Sequence, residues 1–290
     1  MGISWPLQKF ILGHEVIGPA TLHWLNVIGL FVIILPIYLV RFQGRLRWHG
    51  FSPSWLLVFG GVACVMHYGR NFGLRETSAT TAAVVELSEV VFIFLISYLV
   101  LRRPIRPLGW LGTGLVLYGI IRVAMVGATA LQFSTIGVFA LVVVGLTIAI
   151  NALLVKTKFM GIPNELIVLG STAVQLVVFS TAVPAAGLLP EVGRLLQEPY
   201  LLMLVILGSV VWGARLMLYY FALKQAPIWA VRMLALTGLP IATLSDLLVL
   251  RIPVTWTHVE GLIIAITGAA LVIQAARGRD DLQTAAQETG

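Results

Sequence analysis

Runs of about 20 apolar residues follow one another along this chain, with only short polar connections between them. A helix of that length crosses the roughly 30 Å hydrocarbon core of a bilayer and satisfies its own backbone hydrogen bonds there. The sequence therefore predicts an all-α integral membrane protein with about ten transmembrane helices. We expect these helices at Gly2–Leu12, Ala20–Val40, Ser54–Gly73, Ser78–Leu101, Leu108–Val126, Thr135–Val155, Glu165–Leu188, Tyr200–Leu223, Ile228–Leu250 and Val259–Ala276.

The composition excludes several other classes of protein. Hydrophobic residues make up 59% of the 290 residues and charged residues only 11%, whereas a soluble domain carries roughly 25% charged residues. The net charge of +7 does not indicate nucleic-acid binding, because the basic residues lie in short clusters between apolar runs. Cys64 is the only cysteine and the histidines lack ligand spacing, so we predict no disulfide, metal or cofactor. No catalytic motif indicates an enzyme.

The distribution of Lys and Arg predicts the orientation in the membrane, since cytoplasmic loops are enriched in both. Alternate connections carry most of these residues, namely Arg41, Arg45, Arg47, Arg102, Arg103, Arg106, Lys156, Lys158, Lys224, Arg277 and Arg279. The opposite connections hold only Arg70, Arg75, Arg194 and Arg251, even if Arg70 is counted outside its span. We therefore expect both termini on the cytoplasmic side of a bacterial-type inner membrane, with residues 277–290 forming a frayed cytoplasmic tail.

An internal repeat is the most informative pattern. A shift of 149 residues brings Leu74-Arg75 onto Leu223-Lys224, Leu101-Arg102 onto Leu250-Arg251, Pro104 onto Pro253, Gly112 onto Gly261 and Gly119 onto Gly268. Chance similarity between Leu- and Gly-rich helices is the alternative to a duplication. Because an odd number of spans separates the copies, a duplication predicts two inverted five-helix repeats, at residues 1–130 and 131–276. Inverted repeats are typical of secondary transporters.

The repeat also bears on the first span, because Lys9 aligns with Lys156 at the nearby offset of 147. Compared with its partner in the second repeat, the first span lacks about a dozen residues and is too short to cross roughly 30 Å of hydrocarbon. Either the chain is truncated there or the first helix is a genuine half-helix. We favour truncation.

Each half contains a long apolar segment, a short turn and a Gly-rich helix. These are GLRETSATTAAVVELSEVVFIFLISYLVLRRPI with WLGTGLVLYG, and ALKQAPIWAVRMLALTGLPIATLSDLLVLRIPV with VEGLIIAITG. The pattern resembles the ten-helix EamA-type branch of the drug/metabolite transporter superfamily. The resemblance implies a central cavity lined mainly by the first, third, fourth, sixth, eighth and ninth helices, with the fifth and tenth peripheral. The chain departs from the family pattern at Arg103 and Arg251, where Glu is frequent, and at Val90-Val91, where Pro is common.

Ionisable residues within the predicted spans are the candidate site, because a charge at that depth is costly unless paired or hydrated. Glu86 and Glu89 are three residues apart on one face of the fourth span. Two ionised carboxylates that close repel each other, so we expect one of them to take up a proton. The alternative is a pair of structural carboxylates held by arginines. Arg215 and Arg232 are the expected counter-charges, although snorkelling to the headgroups is the favoured interpretation for Arg232.

Other candidates lie on neighbouring spans. His67 and Arg70 share a face of the third span, where His67 could relay protons or simply pack. Trp212 and Tyr219 lie on the Arg215 side of the eighth span and could hold an amine by cation–π attraction. For these aromatic residues lipid-facing bulk is the alternative. We expect Trp5, Trp48, Trp55, Trp110 and Trp256 to be interfacial or lipid-facing, Asp246 to be solvated or structural, and Gly112, Gly114 and Gly119 to serve helix packing.

The sequence thus predicts a secondary transporter for a small polar or amine-bearing metabolite that works by alternating access, with proton coupling as an option. Its partners would be the lipid bilayer, a small-molecule substrate and protons, and it would act as a monomer or homodimer. The alternative is a non-transporting membrane scaffold or a defective truncated carrier.

Overall fold

A computed structural model describes residues 4–42, 52–99, 107–129, 134–226, 228, 231–232, 236, 238–251 and 255–288. Over these ranges the chain forms helices joined by short connections and contains no strand. The helices are α1 (Ser4–Gly13), α2 (Pro19–Arg41), α3 (Pro53–Glu76), α4 (Ala79–Glu86), α5 (Ser88–Leu99), α6 (Pro107–Thr129), α7 (Thr135–Lys158), α8 (Asn164–Ala185), α9 (Leu189–Leu196), α10 (Pro199–Gln225), α11 (Gly238–Leu248) and α12 (Trp256–Glu288).

Six segments in the described part of the chain are long and apolar enough to cross a membrane: Pro19–Arg41, Ala79–Ile96, Thr135–Lys158, Asn164–Ala185, Pro199–Gln225 and Trp256–Ala275. Shorter apolar helices occupy Pro107–Val123 and Gly238–Leu248. These helices expose many large apolar side chains, including Val40, Val177 and Leu218, as expected for surfaces that face lipid. The chain is therefore an integral membrane protein, whereas the count of ten spans stays a prediction.

Two parts of the chain differ from the predicted elements. Residues 277–288 continue α12 instead of fraying, because Ala, Arg, Leu and Gln in this segment favour helix. The connection after α8 folds into the short helix α9, where Glu191 accepts a hydrogen bond from the Gly18 amide at 2.8 Å. Parts of the predicted ninth span and the basic residues Arg45, Arg47, Arg102, Arg103 and Arg106 lie outside the described residues, as does Trp48.

The predicted fourth span is interrupted between its two glutamates. Helix α4 ends at Glu86 and α5 begins at Ser88, so that Leu87 forms a single turn between them. The amide of Leu87 bonds to the Val84 carbonyl, and the amide of Val90 bonds to the Leu87 carbonyl at 3.0 Å. Such three-residue hydrogen bonds tighten a helix locally and often mark a functional hinge. Leu87 itself stays in the right-handed helical region, and Glu86 and Glu89 line the same cavity on either side of this turn.

Helices α6 and α12 pack against each other in opposite directions along a glycine-lined contact. Gly112 lies against the backbone of Gly268, and Gly119 lies against the backbone of Gly261. As the residue number rises along α6, the number of the facing residue in α12 falls, so the two helices are antiparallel. A side chain at these glycines would meet backbone atoms of the facing helix, which explains why small residues lie there. The predicted packing role is confirmed for Gly112 and Gly119 and wrong for Gly114, which faces open space.

Valine at Gly119 is expected to destabilise the protein by at least about 1–3 kcal/mol, since the new side chain would overpack a tight contact. Its Cβ atom would lie 2.7 Å from the Gly261 carbonyl oxygen, and a backbone atom cannot move aside as a flexible side chain can. Gly114→Val on the same helix is the matched control, with an expected change below about 0.5 kcal/mol. Thermal unfolding in detergent compares the two variants, and equal losses would contradict this account of the contact.

Helices α2 and α8 also run antiparallel. Arg41 near the end of α2 pairs with Glu165 at the start of α8, and Trp24 near the start of α2 donates a hydrogen bond to Ser180 of α8 at 3.0 Å. Glu165 lies in the first turn of α8, where the positive end of the helix dipole also favours its charge.

Asp246 of α11 has a structural role, as the sequence allowed. Its side chain is fully buried, and its carboxylate accepts hydrogen bonds from the backbone amides of Ala79 at 3.2 Å and Thr80 at 2.6 Å. These amides begin α4 and have no partner within the helix. Asp246 therefore joins α11 to the start of the helix that carries Glu86.

Candidate functional site

A cavity of about 570 Å³, including its opening, lies between helices of both halves of the chain. It is lined by Trp5 of α1, by Met66, His67 and Arg70 of α3, by Ala83, Glu86, Leu87 and Glu89 around the α4–α5 break, by Ile148 and Asn151 of α7, by Arg215, Leu216, Tyr219 and Tyr220 of α10, and by Leu239 of α11. These elements correspond to the first, third, fourth, sixth, eighth and ninth spans. The superfamily resemblance implies the same set.

Arg70 and Glu86 form a two-pronged ion pair at the cavity wall. The Nε and Nη2 atoms of Arg70 donate hydrogen bonds to the two carboxylate oxygens of Glu86, at 2.6 and 2.8 Å. Both side chains are almost completely buried, with exposed fractions of 2% and 6%. Trp5 adds a third donor, since its indole Nε1 lies 3.3 Å from Glu86 Oε1. An ionised carboxylate at this depth is thereby compensated by charge and by hydrogen bonds.

Glu89 has a different partner, which comes from the second half of the chain. Arg232 donates from Nη1 to Glu89 Oε1 at 2.6 Å, and both side chains are buried. The Nη2 atom of Arg232 also donates to the hydroxyl of Tyr219, and its guanidinium carbon lies 5.1 Å from the centre of that ring. This group therefore links the α4–α5 segment to α10 and to the segment before α11.

The residues His67, Trp212 and His23 form an aromatic cluster beside the cavity. The rings of His67 and Trp212 meet edge-on with centres 4.7 Å apart, and those of His67 and His23 stack at 5.7 Å. The Nε2 atoms of both histidines are buried without a hydrogen-bond partner among the described residues. Trp212 is buried and contacts the histidines without lining the cavity.

The cavity therefore brings together Glu86, Glu89, Arg215, Tyr219, His67 and Arg70, with Trp212 just behind it. Their role in binding stays a prediction. The expected assignment of partners was wrong in part, because Arg70 rather than Arg215 or Arg232 holds Glu86. The snorkelling interpretation of Arg232 was also wrong: its side chain is 2% exposed and paired with Glu89.

Sequence reasoning missed Trp5, Asn151 and Tyr220 as cavity residues and wrongly expected Trp5 to be interfacial or lipid-facing. Composition alone assigns tryptophans to the membrane interface; Trp55, Trp110 and Trp256 are exposed, as an interfacial or lipid-facing position requires. Asn151 carried a usable signal, since it is a polar residue deep within the apolar α7. Cys64 is buried, and no metal-binding cluster is present in the described ranges.

Together, the apolar helices and the buried charged cavity define a polytopic membrane protein. Residues 1–125 match the model of the EamA-like transporter family, which confirms the resemblance to the drug/metabolite transporter superfamily over this part of the chain. The matched family is one of membrane transporters and not of enzymes. It ends within α6, so the second half of the chain lies outside it.

Comparison with solved structures supports the fold across nearly the whole chain. One structure, described as "Crystal structure of protein", covers 95% of this chain and 95% of its own chain, with a TM-score of 0.61 and 20% sequence identity. At that identity the likeness concerns the fold alone. No curated protein matches the sequence.

Proposed function

We propose that the chain is a secondary transporter that moves a small polar solute across the cytoplasmic membrane by alternating access, as a monomer or homodimer. The observation that carries this proposal is the charged cavity, whose lining comes from both halves of the chain. Ionisable groups at membrane depth are costly and typically mark pathways for solutes or ions. A cavity between two halves is also where a rocking motion alternately opens a carrier.

Helix directions support two inverted repeats. In the repeat alignment Gly112 and Gly119 correspond to Gly261 and Gly268, and the helices that carry them, α6 and α12, are antiparallel neighbours. The second and seventh spans, α2 and α8, are likewise antiparallel neighbours. Repeat-related helices that pack together in opposite directions are expected around the pseudo-twofold axis of an inverted repeat.

A pair of repeat-related lysines supports the same proposal. The ammonium group of Lys9 donates to the Arg75 carbonyl at 3.1 Å, near the end of α3. The ammonium group of Lys156 donates to the Ala226 carbonyl at 2.9 Å, at the end of α10. Helices α3 and α10 are themselves repeat-related, so each lysine caps the equivalent helix end. This shared contact supports a duplication.

The proposed orientation has support from the basic residues that the structure describes. Arg41 pairs with Glu165, Lys224 donates to the Ile162 carbonyl, and Lys158 lies 4.8 Å from the Trp55 ring centre. These contacts gather the predicted cytoplasmic connections at one end of the bundle, as the positive-inside rule requires. Proton coupling through Glu89 stays a prediction.

Sided labelling of a cysteine in the cavity tests alternating access without knowledge of the substrate. Ala83→Cys in a Cys64→Ala background puts a small thiol in the cavity wall. We expect a membrane-impermeant thiol reagent to label it from the periplasmic side in intact cells and from the cytoplasmic side in inverted vesicles. Alternating exposure is what distinguishes a carrier from a scaffold.

Three further cysteines serve as controls, because the backbone at each has open space for a side chain. Gly193→Cys on α9 should be labelled only from outside and Gly161→Cys only from the cytoplasm, while Gly114→Cys on the surface of α6 should be labelled from neither side. Labelling of Ala83→Cys from one side only, or from neither, contradicts the proposed function and favours a scaffold.

A further inference from the structure

The buried charges around the cavity do not cancel. Taken at its formal charge, each of Glu86 and Glu89 contributes one negative charge, and each accepts short hydrogen bonds from a guanidinium group. Arginine stays protonated in proteins. The cluster formed by Arg70, Arg215, Arg232, Glu86 and Glu89 thus carries one more positive than negative charge.

Buried hydrogen-bond donors at the cavity also favour a ligand that accepts hydrogen bonds. Asn151 lines the cavity, is 1% exposed, and has no partner for its Nδ2 group within the described residues. The Nε group of the buried Arg232 also has none there. Buried donors without acceptors are costly, and each one in a native structure calls for an explanation such as a ligand or ion.

The remaining cavity wall is apolar and aromatic. Met66, Ile148, Leu216 and Leu239 lie beside Trp5 and Tyr220, so that one side of a bound molecule would contact hydrocarbon and rings. Such a site suits a compact molecule with an apolar body and one polar end.

We infer that the cavity binds a small organic monocarboxylate, with its carboxylate at the Arg215 and Asn151 side and its apolar body against the aliphatic and aromatic wall. One negative charge neutralises the excess of the cluster, whereas an amine would raise it and a zwitterion would leave it unchanged. The planar carboxylate also matches the donor geometry of a guanidinium group. This inference rests on the proposed transport function and specifies its substrate class.

Protection of the cavity cysteine tests the inference with matched probes. Phenylacetate, phenylacetamide and phenethylamine share one skeleton and differ in charge. We expect phenylacetate to slow the labelling of Ala83→Cys and to raise the thermal stability of the purified protein, with little effect from the amide or the amine. Butyrate, butyramide and butylamine repeat the comparison without an aromatic ring.

Substitutions locate the binding group. We expect Arg215→Gln to weaken protection by phenylacetate at least about tenfold, and Asn151→Ala several-fold, because each removes a hydrogen-bond donor that lines the cavity. Arg215→Lys should retain part of the binding, and it keeps the test valid if Arg215→Gln fails to fold. Arg122→Gln is the matched control, since Arg122 pairs with Glu260 on α6 and α12 away from the cavity.

The outcomes separate this inference from the proposed function. Equal protection by the amide, protection by the amine alone, or an unchanged response in Arg215→Gln overturns the monocarboxylate assignment. The same holds if none of the probes protects. In each of these cases transport stands as long as Ala83→Cys is still labelled from both sides, whereas loss of two-sided labelling removes the transport proposal itself.

Discussion

Replacing Arg70 by glutamine is expected to lower the free energy of unfolding by about 3–5 kcal/mol, because it leaves the buried Glu86 charge without its main partner. The Trp5 indole alone, at 3.3 Å, cannot replace two hydrogen bonds from a guanidinium group. Removing one member of a buried pair costs more than removing both. The double variant Arg70→Gln/Glu86→Gln should therefore recover much of the loss.

Thermal or denaturant unfolding of the purified protein in detergent measures the four members of this cycle. Comparing the double variant with the sum of the two single variants gives the coupling between the residues. Arg122→Gln is again the control, because the Arg122–Glu260 pair is open to solvent, and exposed ion pairs add little to stability. Losses that simply add, or a loss in Arg122→Gln as large as in Arg70→Gln, would contradict the expectation.

Much of the helical architecture could be predicted from the sequence, because the length of an apolar run fixes where a helix enters and leaves lipid. Three predicted spans match observed helices within a few residues: Ala20–Val40 matches α2, Thr135–Val155 matches α7 and Tyr200–Leu223 matches α10. Helix α3 also forms as predicted, although it is not among the most apolar spans. It carries His67 and Arg70, polar groups that face the cavity rather than lipid.

Contacts between helices were harder to predict, because they depend on tertiary packing. No Pro or Gly near Leu87 indicates in the sequence that the helix is interrupted there. The partners of the two glutamates depend on which arginine reaches them across the bundle, and sequence position alone placed Arg232 near the headgroups. The prediction for Trp5 failed for the same reason. A tryptophan near a helix end has the sequence pattern of an interfacial anchor, and only the tertiary structure shows that Glu86 lies beside it.

The two ion pairs of the cavity differ in what they connect. Arg70–Glu86 lies within the first half of the chain, whereas Arg232–Glu89 joins the two halves. If the halves rock against each other, the first pair can persist throughout the cycle and the second is placed to break and reform. Glu89 lies in the first turn of α5, directly after the turn at Leu87 that separates α5 from α4.

Glu89→Gln is therefore expected to alter the balance between the inward- and outward-open states and to slow uptake strongly. A charged hydrogen bond contributes about 1.5–3 kcal/mol, which corresponds to a shift of roughly 10- to 150-fold in an equilibrium. The ratio of Ala83→Cys labelling rates from the two sides should change by that factor. Uptake of phenylacetate into proteoliposomes, or of whichever probe protects best, should fall at least about tenfold.

Glu165→Gln provides the matched control for this prediction, since Glu165 also pairs with an arginine of the other half. Arg41, its partner, is 64% exposed, so water compensates the lost charge there and both measurements should change little. Tyr219→Phe removes only the hydroxyl that accepts from Arg232 and should give an intermediate effect. If uptake and the labelling ratio in Glu89→Gln equal those of the unmodified protein, the Glu89 carboxylate has no part in transport.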